Sequence, residues 1–187
     1  MKPAPRLALY LLIVSLIASA GIGYLLRTNA TAEATAAVLT LKLPDPQGAV
    51  QDMAHWQGKI IVANYWATWC PPCREEIPDL SASADEFSAA PVQFVGISID
   101  TAAKVQDFGR EHAISYPLLI ASRQVLDDTA SFGNTLRALP FTLIIDRHGV
   151  VRHTHIGRVA RKTLTTQIRA LLAEQAGRPA PDTSTLP

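Results

Sequence analysis

The segment from Lys59 to Phe87 constrains the fold more than any other. Lys59 to Trp66 (KIIVANYW) is rich in bulky and β-branched residues, the pattern of a buried strand. A few residues later the period changes. Ile77, Leu80, Ala84 and Phe87 recur at spacings of three and four and give one apolar helix face. Between the two patterns stands Cys70-Pro71-Pro72-Cys73, which contains both cysteines of the chain.

The alternation continues downstream. Val92 to Ile99 reads as a second buried strand. Thr101 to His112 reads as a helix with Val105 and Phe108 facing inward. A short strand over Tyr116 to Ile120 and a short helix over Arg123 to Phe132 follow. Phe141 to Ile145 and Val150 to Ile156 are two strands joined by Asp146-Arg147-His148-Gly149, a hairpin signal. A last helix buries Leu164, Ile168, Leu171 and Leu172, with Gly177 placed to end it. This order predicts an α/β fold: a mixed central sheet with helices on both faces, a three-layer α/β/α sandwich of the thioredoxin-like type.

Leu7 to Leu26 carries no charge over 20 residues, about 30 Å as a helix and enough to cross a bilayer. Lys2 and Arg6 precede it, which orients the N-terminus to the cytoplasm and the domain across the membrane. Residues 1–27 are therefore expected to be a signal anchor. A signal peptide cut at Ala18-Ser19-Ala20 is the alternative, and either fate delivers the domain to the periplasm or an equivalent extracytoplasmic space. The apolar run continues past that cut through Ile22, Tyr24, Leu25 and Leu26, which favours the anchor. A buried core helix is a third reading. Residues 28–38 read as a tether with nothing to anchor a core. Residues 39–177 read as the folded domain, and 178–187, with three prolines, as a loose tail. From Thr28 onward acidic residues outnumber Lys and Arg by two, so no electrostatic reason points to nucleic acid.

Three chemistries compete for the cysteine pair. A structural disulfide would close a tiny loop and restrain the unfolded chain little. A zinc site would need two more ligands from the five histidines, none of which lies near the cysteines in the sequence. A redox couple fits the context of a C-x-x-C between a buried strand and an amphipathic helix. At a helix start, residues three apart can bring their sulfurs together with little movement. Cys70 would stand at the helix N-terminus, where free N–H groups and the dipole stabilise a thiolate. It is expected to be the exposed nucleophile, with Cys73 the less exposed resolving thiol. Pro71 and Pro72 suit a first turn and remove two donors to that thiolate, which leans the couple toward a reductant.

The run Asn64-Tyr65-Trp66-Ala67-Thr68-Trp69-Cys70-Pro71-Pro72-Cys73-Arg74-Glu75-Glu76-Ile77-Pro78 closely resembles the active-site segment of the TlpA/ResA family of thioredoxin-like oxidoreductases. The resemblance extends from about Leu43 to Leu172. It takes in Gly58-Lys59, an extra β/α segment after Ile99, and Leu139-Pro140-Phe141-Thr142. It implies that Trp69 flanks the nucleophile as an apolar platform, simple packing being the alternative. It implies that Pro78 kinks the first helix. It further implies that Pro140 is a cis-proline facing the cysteines, with the backbone of Leu139 pairing with substrate. The bland reading of Pro140 is a strand-initiating proline. Thioredoxin has a buried Asp where this chain has Asn64, which cannot take a proton. Glu76 matches an acidic residue that ResA-like members place near the pair, and is expected to tune the thiols and relay protons. The alternative is a solvated carboxylate beside Glu75 in a first turn.

The resemblance implies a membrane-tethered enzyme that reduces protein disulfides outside the cytoplasm, with no cofactor and no metal. Its clients would be apocytochrome c thiols or copper-site assembly proteins, and its electrons would come from a membrane donor of the DsbD type. A disulfide-forming oxidase is one alternative. A copper-binding chaperone, with His148, His153 or His155 as a further ligand, is another. A peroxidase fits less well, because the peroxiredoxin cysteine sits in a different motif.

Overall fold

The computed structural model describes residues 9–23 and 38–176. Residues 9–23 form helix α1, the middle of the apolar segment, and its Leu, Ile and Val side chains are exposed. Among the described residues no helix is long and apolar enough to cross a membrane. The two ends of the expected span, the tether up to residue 37, Gly177 and the tail lie outside the described residues.

A five-stranded sheet forms the centre, in the order β5-β4-β3-β6-β7. Its middle strand is β3 (Ile60–Trp66), buried at every position, as its unbroken apolar run requires. It pairs in parallel with β4 (Val92–Ser98), from Ile60 opposite Val92 to Trp66 opposite Ser98. On its other side it pairs antiparallel with β6 (Phe141–Ile145). The outer strands are β5 (Leu118–Ile120) and β7 (Val151–Ile156). The sheet is thus mixed, as the element order predicts. The β6–β7 turn is held by Asp146, whose Oδ1 accepts from the N–H groups of His148 (2.9 Å) and Val150 (3.0 Å), with Gly149 at φ +75°. An Asp and a Gly in these places are what a tight hairpin needs.

Helices α2 (Pro71–Glu86) and α5 (Arg161–Ala176) cover one face. Leu80, Phe87, Leu164, Ile168 and Leu171 pack there on Ile60, Val62 and Ile144. Helix α3 (Ala102–Glu111) joins this layer at the end nearest the cysteines, where Val105 and Phe108 meet Trp66, Cys73 and Ile77. The opposite face carries α4 (Arg123–Asp127), the 3-10 turn Asp128–Phe132, and residues from the N-terminal side of the domain.

Three readings are corrected here. The segment before β3 contains a small antiparallel pair, β1 (Lys42–Pro44) with β2 (Val50–Asp52), followed by a 3-10 turn at Met53–Trp56. Three-residue strands are too short to show a period. Val38, assigned to the tether, is buried with Leu39 in the core beneath α4. The expected helix Arg123–Phe132 is broken into an α turn and a 3-10 turn that ends at Gly133, φ +95°.

Candidate active site

β3 ends at Trp66, and the chain turns at once. The Cys70 N–H donates to the Ala67 carbonyl at 3.2 Å, which makes Thr68 and Trp69 the centre of a tight turn. Cys70 is the N-cap of α2, and Pro71 and Pro72 fill the first two helical positions, where a missing N–H leaves no bond unmade. Cys70 and Cys73 are joined in a disulfide with their Cα atoms 5.3 Å apart. The Cys73 N–H points at Cys70 Sγ, 3.3 Å away. Arg74 places its guanidinium over the Phe108 ring at 5.5 Å.

Cys70 is more covered than the sequence reading held. It is 4% exposed against 0% for Cys73, so the order of exposure stands but the outer cysteine is nearly enclosed. Leu139 packs against the cluster that holds both cysteines, and the Leu139–Pro140 peptide is cis. The Pro140 carbonyl accepts from Gly157 N–H at 2.8 Å, which ties this loop to the end of β7. Trp69 stands 59% exposed, so core packing is not its role.

Glu76 departs most from its bland reading. It lies beyond the first turn of α2, one turn after Cys73 on the same buried stripe, and is fully enclosed. Asn64 of β3 donates from Nδ2 to Glu76 Oε1 at 2.7 Å, and to Thr142 Oγ1 at 3.0 Å. The Val159 N–H donates to Glu76 Oε2 at 3.2 Å. Burial outweighs these donors and pushes the Glu76 carboxyl up to about 7. Glu76 is thus a carboxyl that titrates near neutrality on the same helix stripe as Cys73.

Sequence reasoning missed Asp100. It follows β4, and its side chain is 5% exposed. The Thr68 hydroxyl donates to Asp100 Oδ2. No repeat or motif flags it; only its place just after a buried strand, where loops converge on the cysteines, could have done so. The three histidines considered as metal ligands lie on the hairpin. His155 Nε2 bonds Gln167 Oε1 at 2.8 Å, and Arg147 Nε donates to His148 Nε2 at 3.2 Å. Among the described residues no group of three or more His, Cys, Asp and Glu is placed to hold a metal.

A mixed sheet capped by a C-x-x-C helix start, with a cis-proline loop whose Leu139 packs on the cluster that holds both cysteines, defines the class of thioredoxin-like thiol–disulfide oxidoreductases. A model of the AhpC/TSA family matches residues 34–154, and the chain belongs to that family. It is 24% identical over 177 residues to the thiol-disulfide oxidoreductase ResA of Geobacillus kaustophilus, covering 91% of this chain and 99% of that one. It is similar in structure to a thiol:disulfide interchange protein of Chlorobium tepidum TLS, at TM-score 0.64 and 25% identity over 71% of this chain and 92% of that one. It is also similar to a secreted Mycobacterium tuberculosis disulfide oxidoreductase homologous to E. coli DsbE. There the TM-score is 0.61 and the identity 25%, over 71% and 96% of the two chains.

Proposed function

We propose that this protein reduces protein disulfides outside the cytoplasm while anchored by its N-terminal segment. The observation that carries the reading is the enclosed Glu76 one turn behind Cys73, which gives the inner thiol a proton acceptor.

Reduction begins from the dithiol. The Cys70 thiolate attacks one sulfur of a client disulfide, forming a Cys70–client bond and releasing the other client sulfur as a thiolate. Cys73 gives its proton to Glu76 and attacks Cys70 Sγ. The Cys70–Cys73 bond forms, and the second client sulfur leaves as a thiolate. Both client thiolates then take up protons. Two electrons have passed from the pair to the client. Restoring the dithiol takes a second dithiol donor, for which a membrane protein of the DsbD type is the natural candidate. Cytochrome c maturation or related thiol-protein assembly is the client class that the TlpA/ResA resemblance favours. Among the described residues neither backbone group of Leu139 has a hydrogen-bond partner, which leaves both free for an extended client segment. Trp69, exposed and next to Cys70 in the chain, offers an apolar surface. The uncharged, mostly apolar surface of α1, preceded by Lys2 and Arg6, supports the anchor.

Acid quench and alkylation of growing cells tests the reading. A reductase is expected to hold Cys70 and Cys73 mostly as thiols, and to become oxidised when its membrane donor is deleted. A pair that is mostly disulfide in cells with an intact donor pathway overturns the reductase direction in favour of an oxidase. Cys70→Ser is expected to lower turnover by at least about a thousandfold, since no other nucleophile replaces the thiolate.

A further inference from the structure

We propose that Asp100 is a positioning residue for Cys70, acting through the Thr68 hydroxyl, and that its task falls in the reduced state. This inference rests on the reading of Cys70 as the nucleophile.

The turn that presents Cys70 has Thr68 at its centre, and the Thr68 hydroxyl is bonded to Asp100 Oδ2. Asp100 is itself firmly held. Its Oδ1 accepts from the Thr101 N–H at 2.8 Å, with Lys104 Nζ 3.5 Å from the same oxygen. Its own N–H donates to Ser98 Oγ at 3.3 Å, and Ser98 is fully buried at the end of β4. The bond therefore runs from a loop to the rigid end of a core strand. Phe108 of α3 backs the same corner, with its ring 5.2 Å from that of Trp66.

In the oxidised protein the Cys70–Cys73 bond fixes the outer cysteine. Reduction removes that link. Cys70 then stands ahead of a helix whose first two residues, Pro71 and Pro72, offer no N–H, so Cys73 carries the first helical donor. The aim of the Cys70 sulfur now depends on non-covalent ties, and attack on a disulfide needs the three sulfurs aligned. The Thr68–Asp100 bond supplies in the dithiol form part of what the covalent bond supplies in the disulfide form. The disulfide form holds the same bond but does not depend on it to fix Cys70, so loss of the bond costs the dithiol more than the disulfide.

The test uses three variants of the full chain. Thr68→Val removes the hydroxyl at nearly constant volume, Thr68→Ser keeps it, and Asp100→Asn removes the charge. Each is equilibrated with glutathione buffers. Each is also assayed, reduced, against a synthetic peptide carrying one intramolecular disulfide. Thr68→Val is expected to shift the glutathione equilibrium about threefold toward the disulfide, less than the roughly fivefold worth of one net hydrogen bond because the disulfide form loses the bond as well. It is expected to slow peptide reduction about tenfold. Thr68→Ser is expected within about twofold of the parent on both counts, and Asp100→Asn moves both in the same direction as Thr68→Val. A merely structural bond would lower the melting temperature of the oxidised form and leave equilibrium and rate within about twofold of the parent; that result overturns the proposal. If Thr68→Val does not fold, Asp100→Asn decides alone by the same two readouts. Failure of the underlying reading shows elsewhere. If Cys70→Ser captures the peptide as a mixed disulfide and Cys73→Ser does not, the nucleophile is Cys73, and the positioning proposal falls with it.

Discussion

Two carboxylates are buried near the same disulfide and meet opposite fates. Glu76, on the inner side of α2, is raised to about 7. Asp100, at the corner between β4 and α3, is held below the usual carboxylate range. Burial pushes both upward, so depth alone does not separate them. Asp100 is pulled back by the Thr68 hydroxyl, the Thr101 N–H and the adjacent Lys104 ammonium. Glu76 has two neutral donors, Asn64 and Val159. The cation that acts on it, Arg158, is shared with Glu75 (3.2 Å) and Asp79 (3.8 Å). The number and charge of the donors decide which acid keeps its charge as an anchor and which is free to change it.

Among changes to the two carboxylates and their partners, the largest expected effect comes from Glu76→Gln. If Glu76 takes the Cys73 proton, the variant resolves the mixed disulfide about a hundredfold more slowly, which quenched alkylation of the intermediate will show. It also changes stability. The folded protein holds this proton more tightly than the unfolded chain, whose ordinary value is 4.5. The contribution is therefore fully present below that pH and is lost as pH rises through about 7. The loss amounts to about 3 kcal/mol. Urea unfolding from pH 4 to 8 should reveal this loss in the parent, and a profile without it in Glu76→Gln; equal slopes would mean that Glu76 is solvated.

Asn64→Asp comes next. It sets a second carboxyl 2.7 Å from the first, and two such groups cannot both ionise without partners. A loss of about 2 kcal/mol is expected at pH 8, shrinking at pH 5. Asp100→Asn is smaller and acts at the other end of the scale. A depressed carboxylate gives stability that is present above its unfolded value and lost as pH falls through its folded one. The parent should therefore lose about 1 kcal/mol more than the variant on acidification from pH 5 to pH 2, read from denaturant midpoints. Arg158→Gln is the smallest. Its ion pairs are half exposed, so stability should change by less than about 0.5 kcal/mol, while the Glu76 midpoint, followed by carboxyl NMR, moves upward. A downward movement would remove Arg158 from the comparison.

Much of this was legible in the chain itself. The β-branched runs at Ile60–Trp66 and Val92–Ser98 and the hairpin around Asp146 carry strong periodic or turn signals, and the strands stand within a residue or two of where those signals place them. The β1–β2 pair did not show because its residues are few and half exposed, and its order comes from packing rather than pattern. Glu76 was readable in part. Cys73, Glu76, Ile77 and Leu80 follow helical spacing, so a carboxyl lay on an apolar stripe, but charge alone did not tell it from Glu75. Asp100 was silent because its partner Thr68 reaches it only after β3 and β4 bring the loops together.

The bonds around Glu76 also bear on the order in which the molecule assembles. Asn64 and Thr142 are 78 residues apart, and Glu76 and Val159 are 83 apart. Such non-local contacts close late on a folding route. The two thiols, by contrast, are neighbours as soon as the first turn of α2 exists. A newly synthesised chain therefore possesses its reactive sulfurs well before it possesses the buried surroundings of Glu76. A half-folded molecule can exchange disulfides without discrimination, and only completion of β6 and the α5 approach turns it into a controlled reagent.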